Sequence, residues 1–441
     1  MLTAFFAPGG AVPLAAAVAV LVTTVVCVLL RPGGVGEAWS AAGGAAVALL
    51  LGLARPADVV AAVQDLWPVL LFLVTVMALA GLAERAGVFA WAAGWALRTA
   101  AGRGWLLFVN LYLLGALVTL FLSLDVTAVV LTPLVCALVV PLRLDGRPFV
   151  VAVAVVANAA SLALPVSNLT NMLVYELLGV GFWDFVRFLA LPNLVALAVG
   201  LGVLLALYHG RLPGSLRLTL PGRARSRPGQ SFFRLSLALL LLAVAGFLVA
   251  GATEAPFWAV SLPASLLLGG VALGRRWVAP REVARAVAWG LPPFVLGMAV
   301  VVAAVARQAA PSLAGLPERL TALPGPLAMA AAAAAATLGA NAVNNLPFAL
   351  GAVQGLRAVP AGAVAADGGA LRPALAFGLL LGVNLGPLLT VTGSLATMLC
   401  LSGARRAGVR VPALAFVGAG LLVTPPMLLA AGLTLALLLR P

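Results

Sequence analysis

Along the chain, apolar residues come in runs of about twenty, broken by short clusters of Arg, Pro and Gly. A run of that length spans the hydrocarbon core of a bilayer as a helix, so the pattern predicts an all-α polytopic membrane protein. Spans are predicted near 11–30, 37–53, 66–83, 188–207, 235–251, 257–273, 286–306 and 411–439. Residues 81–104 mix Phe89, Trp91 and Trp95 with Arg85, Arg98 and Arg103. Aromatic and basic residues at helical spacing predict a helix lying in the membrane interface.

Four regions depart from simple spans. Residues 105–141 are too long for one crossing and carry Ser123, Asp125 and Thr127 in their middle, which predicts a re-entrant hairpin. Residues 324–358 repeat this plan, with Asn341, Asn344 and Asn345 crowded before Pro347. Residues 149–177 and 373–401 each hold a polar knot inside an apolar run, so each is predicted to be a broken helix. The knots align without gaps: NAASLALPVSNLTNML at 158–173 lies on NLGPLLTVTGSLATML at 384–399, pairing Asn158 with Asn384 and Ser167–Asn168 with Gly393–Ser394. Unpaired polar groups are costly in hydrocarbon and persist there only against protein, a cavity or a ligand. Matching polar breaks in two halves of a membrane protein are the best sequence pointer to a transport site.

Residues 209–234 form a Pro- and Gly-rich linker with six arginines and no acid, dividing the chain into a first repeat, 1–208, and a second, 235–441. With this linker placed in the cytoplasm and every hairpin returning to its own side, nineteen arginines fall inside and seven outside, in keeping with the positive-inside rule. The first half then begins outside and the second inside, so the two are inverted-topology repeats. The expectation is about 10 transmembrane helices, two hairpins and two broken helices, with both termini outside.

Composition narrows the function. The chain is 64% hydrophobic and 9% charged over 441 residues, and its formal net charge of +14 comes wholly from arginines between apolar segments. That distribution reflects membrane topology and argues against nucleic-acid binding. Cys27, Cys136 and Cys400 stand alone in apolar runs, and His209 is the single histidine. Neither a metal site nor a cofactor is expected, and the chain has no HExxH or GxSxG for an intramembrane enzyme. The reading is a transporter, not an enzyme.

Asp125 is the one carboxylate placed deep in a membrane segment. A buried charge without a partner is expensive, so such a group takes up a proton in one state and releases it in another, which makes Asp125 the candidate for proton coupling. The substrate would be held by Ser123, Thr127, Asn158, Ser167, Asn168, Asn171, Asn341, Asn344, Asn345, Asn384, Thr392, Gly393, Ser394 and Thr397. Amides and hydroxyls both donate and accept, which suits a hydroxylated solute or coordination of a cation, and Gly393 permits close approach to the main chain.

GRGWLLF at 102–108, SNLTN at 167–171, NNLP at 344–347 and NLGP…GSLAT at 384–397 resemble, in order and spacing, the arsenical-pump membrane permeases of the ion-transporter superfamily. The resemblance covers nearly the whole chain. It implies a bacterial inner-membrane protein that exports arsenite or antimonite in exchange for protons by alternating access. Arsenite near neutral pH is As(OH)₃, a compact triol that an uncharged cage of Asn, Ser and Thr suits. The bilayer and a small-molecule or ion substrate are the expected partners, and the resemblance admits a soluble ATPase subunit and a homodimer. The alternatives in the same superfamily are a sodium/proton antiporter and a di- or tricarboxylate carrier. The chain differs from the family pattern in having Leu124 where Asn is common, Asn158 and Asn384 where Asp is frequent, and Leu388 where Lys is common.

Overall fold

The computed structural model describes residues 11–215, 229–313 and 315–439. Among the described residues helices are joined by turns and loops, and the one β contact is an isolated bridge between Val364 and Ala370. Nine of the described helices are long and apolar enough to cross a membrane. Arg217, Arg223, Arg225 and Arg227 of the linker and both termini lie outside the described residues.

The helices, in order, are α1 (Ala11–Leu30), α2 (Glu37–Leu50), α3 (Pro56–Arg85), α4 (Val88–Thr99), α5 (Gly104–Leu122), α6 (Leu124–Val139), α7 (Gly146–Ala159), α8 (Leu169–Leu178) and α9 (Phe182–Tyr208). After the linker follow α10 (Gln230–Ala252), α11 (Trp258–Gly274), α12 (Pro280–Arg285), α13 (Leu291–Leu313), α14 (Leu316–Thr321), α15 (Gly325–Val343), α16 (Asn345–Arg357), α17 (Leu371–Leu385), α18 (Leu395–Arg406) and α19 (Ala413–Leu438).

Several predicted boundaries move. The span predicted at 66–83 starts ten residues earlier, at Pro56, and runs through Pro68. A proline inside a membrane helix is tolerated when neighbours satisfy the freed backbone groups. The interfacial segment shortens to α4, because Gly87 adopts φ 83° and separates it from α3. The span predicted at 37–53 forms only fourteen helical residues, about 21 Å at the usual rise. Residues 286–290 belong to no long helix, and α13 begins at Leu291. The first arm of each hairpin, α5 and α15, is itself long enough to cross a membrane.

The helices sort into two bundles. A flank bundle holds α1, α2, α3, α10, α11 and α13, and a site bundle holds α5 to α9 and α15 to α19. The packing recurs with the halves exchanged. Helices α1 and α2 pack on α13 as α10 and α11 pack on α3, and α9 meets α19. Helix α18 packs on α7 as α8 packs on α17, and α8 meets α16 as α18 meets α6.

At the centre of the site bundle, α7 is buried along nearly its whole length and α17 is buried all round, as expected for helices apolar on every face. Gly378, Gly382 and Gly386 form a stripe on α17 and its extension against α15. A Cβ at these positions would come within 2.2 Å of Met329 O, 2.4 Å of Ala333 O and 2.7 Å of Thr337 Cα. This is why α15 carries an alanine run: small residues on both sides let two membrane helices touch backbone to backbone. The flank and outer helices leave Leu50, Leu338, Leu414 and Leu429 exposed, a surface suited to lipid.

Five ion pairs join elements among the described residues. Arg31–Glu37, Arg85–Glu282 and Arg211–Asp145 each join residues assigned inside, and Arg307–Asp58 and Arg357–Asp65 residues assigned outside. Gly104 N donates to Pro213 O, and Arg372 Nη2 to Leu177 O.

Candidate functional site

Four interruptions in the helices meet at one place. The first hairpin reverses at Ser123 (φ 117°, ψ 159°) and the second at Asn344 (φ 75°, ψ 151°). Both are non-glycine residues held at positive φ, a strained conformation that the surroundings must impose. Thr119 and Thr127 hydroxyls meet at 2.8 Å across the first reversal. Just beyond it α6 contains a π-helical turn over Thr127–Leu131, a form that tends to mark functional sites. The broken helices restart after extended residues, Asn168 (φ −151°) and Ser394 (φ −139°).

Each interruption therefore starts a helix, and all four new helices begin at the same cavity. It is lined by Leu124 and Asp125 of α6, Asn168, Leu169 and Thr170 at α8, Asn345 and Leu346 of α16, and Ser394, Leu395 and Ala396 at α18. Leu73 of α3 and Leu291, Phe294 and Val295 of α13 close it from the flank bundle. The volume is about 30 Å³, room for about two waters at the usual need of 10–15 Å³ of probe space each.

A helix N-terminus carries free N–H groups and roughly half an elementary positive charge. Three of the four are capped by their own side chains. Ser123 Oγ accepts from Val126 N at 3.4 Å, Asn168 Oδ1 from Thr170 N at 3.1 Å and Asn344 Oδ1 from Leu346 N at 3.4 Å. Ser394 makes no cap bond, and its Oγ is buried without a partner. The Thr170 hydroxyl at the cavity is likewise buried and unpaired. No Arg or His lines the cavity, and Asp125 is its one ionisable group. Among the described residues no ion pair or side-chain hydrogen bond engages the Asp125 carboxyl. The N-termini of four helices thus meet at a cavity lined by one carboxyl and no cationic side chain.

Of the fifteen residues predicted for the site, the structure brings Asp125, Asn168, Asn345 and Ser394 to the cavity. Most of the others form two hydrogen-bonded supports behind it. The first centres on Asn384. Its Oδ1 accepts from Ser161 Oγ (2.5 Å) and Asn168 Nδ2 (2.8 Å), while its Nδ2 donates to Asn171 Oδ1 and Leu380 O (both 2.9 Å). Asn171 Nδ2 donates to the carbonyls of Ser161, Leu162 and Leu164, freed where the helix breaks. Those three carbonyls fix the orientation of Asn171, and Asn171 in turn requires a donor at position 384. An amide satisfies every partner there, and a carboxylate could not. Asn158 Nδ2 donates to Ala154 O (2.9 Å) and Thr397 Oγ1 (3.1 Å), leaving its Oδ1 buried and unpaired.

The second support stitches the second hairpin to the second break. Asn341 Nδ2 donates to Thr337 O and Gly386 O, its Oδ1 accepts from Thr390, and Thr390 meets Thr392 at 3.3 Å. Asn344 Nδ2 donates to Thr392 O and Asn345 N to Gly393 O. A Cβ on Gly393 would lie 2.5 Å from Pro387 O and 2.8 Å from Asn341 Oδ1, so only glycine fits. On the first side the stitch is Ser167 Oγ to Leu120 O at 2.6 Å, with Ser123 and Thr127 bonded within the hairpin itself. The sequence reading did not single out Thr170 or Ser161, although Thr170 stands inside the SNLTN motif and Ser161 inside the first knot.

The model of a family described as arsenical pump membrane protein matches residues 16–439. The chain is 31% identical over 437 residues to the arsenical pump membrane protein of Escherichia coli (strain K12), covering 95% of this chain and 97% of that one. It is 30% identical over 438 residues to the protein of the same description in Yersinia enterocolitica, with the same coverage. Among solved structures, the YdaH transporter of Alcanivorax borkumensis matches with a TM-score of 0.56 at 18% identity, covering 86% of each chain. At that identity the likeness shows a shared fold.

Proposed function

This chain belongs to the arsenical pump membrane protein family, and we propose that it exports trivalent arsenic and antimony as their neutral hydroxides in exchange for protons. The observation that carries this reading is the convergence of four helix N-termini on a small cavity with one carboxyl and no cation. Free N–H groups and unpaired hydroxyls favour a solute rich in oxygen. They disfavour a bare sodium ion, which needs carbonyl or carboxylate oxygens around it. A space for about two waters suits a compact triol far better than a di- or tricarboxylate.

In this reading Asp125 carries the proton. Neutral, it donates to a solute hydroxyl; ionised, it draws on the four helix ends, and the two states differ in which ligand the cavity prefers. Asn168, Asn345 and Ser394 contact the solute together with Thr170, and the Asn384 and Asn341 supports hold the helix starts in place. Residues 1–208 and 235–441 act as inverted repeats around a cytoplasmic linker. The exchanged packing of the two halves and the same-side pairing of charges support that arrangement. The reading admits a soluble ATPase subunit at the cytoplasmic face and a second copy of the chain as partners.

The test is uptake by everted membrane vesicles. Arsenite should accumulate when a proton gradient, acid inside, is imposed, and accumulation should collapse when the gradient is dissipated. Sodium- or carboxylate-dependent proton flux without metalloid accumulation would overturn the assignment.

A further inference from the structure

A second, larger cavity of about 320 Å³ lies at the end of the molecule remote from the linker, and its charged lining has no part in the site described above. Asp58 and Asp65 of α3, Glu176 of α8, Arg307 of α13 and Arg357 of α16 face it. The four helices that contribute, α3, α8, α13 and α16, are all among those that line the small cavity. Helix α3 gives Leu66 to the chamber and Leu73 to the site, α8 gives Leu173 and Leu169, α13 gives Ala299 and Val295, and α16 gives Leu350 and Leu346. On three helices the step is four residues and on α3 it is seven, so each pair lies on one helix face. The two spaces are therefore stacked along a common axis, separated by an apolar layer about 6–10 Å thick at the helical rise.

The charges divide by bundle. Arg307 pairs with Asp58, and both stand on flank helices. Arg357 pairs with Asp65 at 3.4 Å, joining α16 of the site bundle to α3 of the flank bundle. Among the described ion pairs it is the one that connects the two bundles. Both partners are about half exposed, which makes the contact weak and easily separated. The Arg307 guanidinium also faces the chamber, and its Nη1 is buried without a partner.

We propose that this chamber is a second station on the transport route, holding a small hydroxylated solute by guanidinium donors and carboxylate acceptors. The Leu66, Leu173 and Leu350 layer is its inner gate, and Arg357–Asp65 is the latch that parts when the bundles move. The proposal rests on the transport reading above, but not on the identity of the solute.

Two measurements test it, in a protein whose three cysteines are replaced by alanine. A charged, membrane-impermeant methanethiosulfonate is applied from the face remote from the linker to Ala303→Cys, on the chamber wall, and to Val295→Cys, beneath the layer. Ala303→Cys should react at least tenfold faster than Val295→Cys, and Leu173→Ala should close that gap. Equal rates without Leu173→Ala, or reaction only from the linker face, would overturn the layer. In the second measurement Asp65→Cys and Arg357→Cys are joined by a short bifunctional methanethiosulfonate. Transport should stop and return on reduction. Full transport by the cross-linked protein would sink the latch. If the wild type moved no arsenite, the export reading would fail, while the labelling rates would still decide the chamber.

Discussion

At the tip of the first hairpin the chain reads Ser123-Leu124-Asp125, and at the tip of the second Asn344-Asn345-Leu346. The backbone device is the same in both: one non-glycine residue at positive φ caps the helix that follows with its own side chain. The chemistry differs. The first tip brings an acid to the cavity and the second an amide. Paired scaffolding thus brings unequal chemistry to one cavity, a carboxyl from the first half and an amide from the second. The two restarted helices differ in the same way, since Asn168 caps α8 whereas Ser394 leaves α18 uncapped.

The severest way to break this contrast is Asp125→Asn, which keeps shape but removes the titrating group. Gradient-driven arsenite uptake should fall to background in vesicles while the protein still inserts. Adding Leu346→Asp moves the acid to the other tip. If the four helix ends form one shared field, part of the uptake should return, and uptake unchanged by Asp125→Asn would assign the proton elsewhere.

Next in size is a comparison of repeat mates. Asn384→Asp sets a carboxylate against Asn171 Oδ1, which cannot turn away because its amide nitrogen holds three carbonyls. The loss should be about 2–4 kcal/mol, an unmet buried acceptor plus an unpaired charge, read from thermal unfolding in detergent. Asn158→Asp should cost about half as much, because the Thr397 hydroxyl can rotate to donate to it. Equal losses would mean that the two knots carry equal loads.

At the second tip, Asn344→Ala should destabilise by about 1–2 kcal/mol through the lost cap on Leu346 N and the lost bond to Thr392 O. Asn344→Gly should be milder, since glycine accepts the backbone geometry. A reversed order would show that hydrogen bonding to Thr392, not the turn, is what position 344 supplies.

The smallest effect concerns Asp367, whose carboxylate accepts from Gly325 N at 3.0 Å at the start of α15. That bond, with help from Gly369 N, holds the carboxyl below the usual range. A lowered value stabilises the folded protein above the unfolded pKa of about 3.9. The benefit fades as pH falls through the lower folded value. The melting temperature of Asp367→Asn should therefore trail wild type at pH 7 and converge with it in strong acid.

Much of this architecture was legible in the residues. Apolar run length gave the membrane helices, and the gap-free alignment of the knots placed Asn168 opposite Ser394, both of which prove to be the residues before a restarted helix. What the pattern could not separate was support from lining. Asn168 and Asn171 are one turn apart and chemically identical, yet one borders the cavity and the other is consumed by carbonyls behind it. Periodicity gives no guidance where the helix itself stops. The outer chamber was invisible for another reason. Asp65 stands just before the span read from the sequence at 66–83 and Arg357 ends α16, 292 residues away, positions where charges ordinarily anchor a segment at the membrane edge.

The four helix starts around the cavity come from early, middle and late stretches of the chain, the last of them opening at Leu395. A ribosome must therefore finish nearly the whole protein before this cavity has all its walls. Until then the insertion machinery holds two exposed turns and a broken helix whose counterparts do not yet exist.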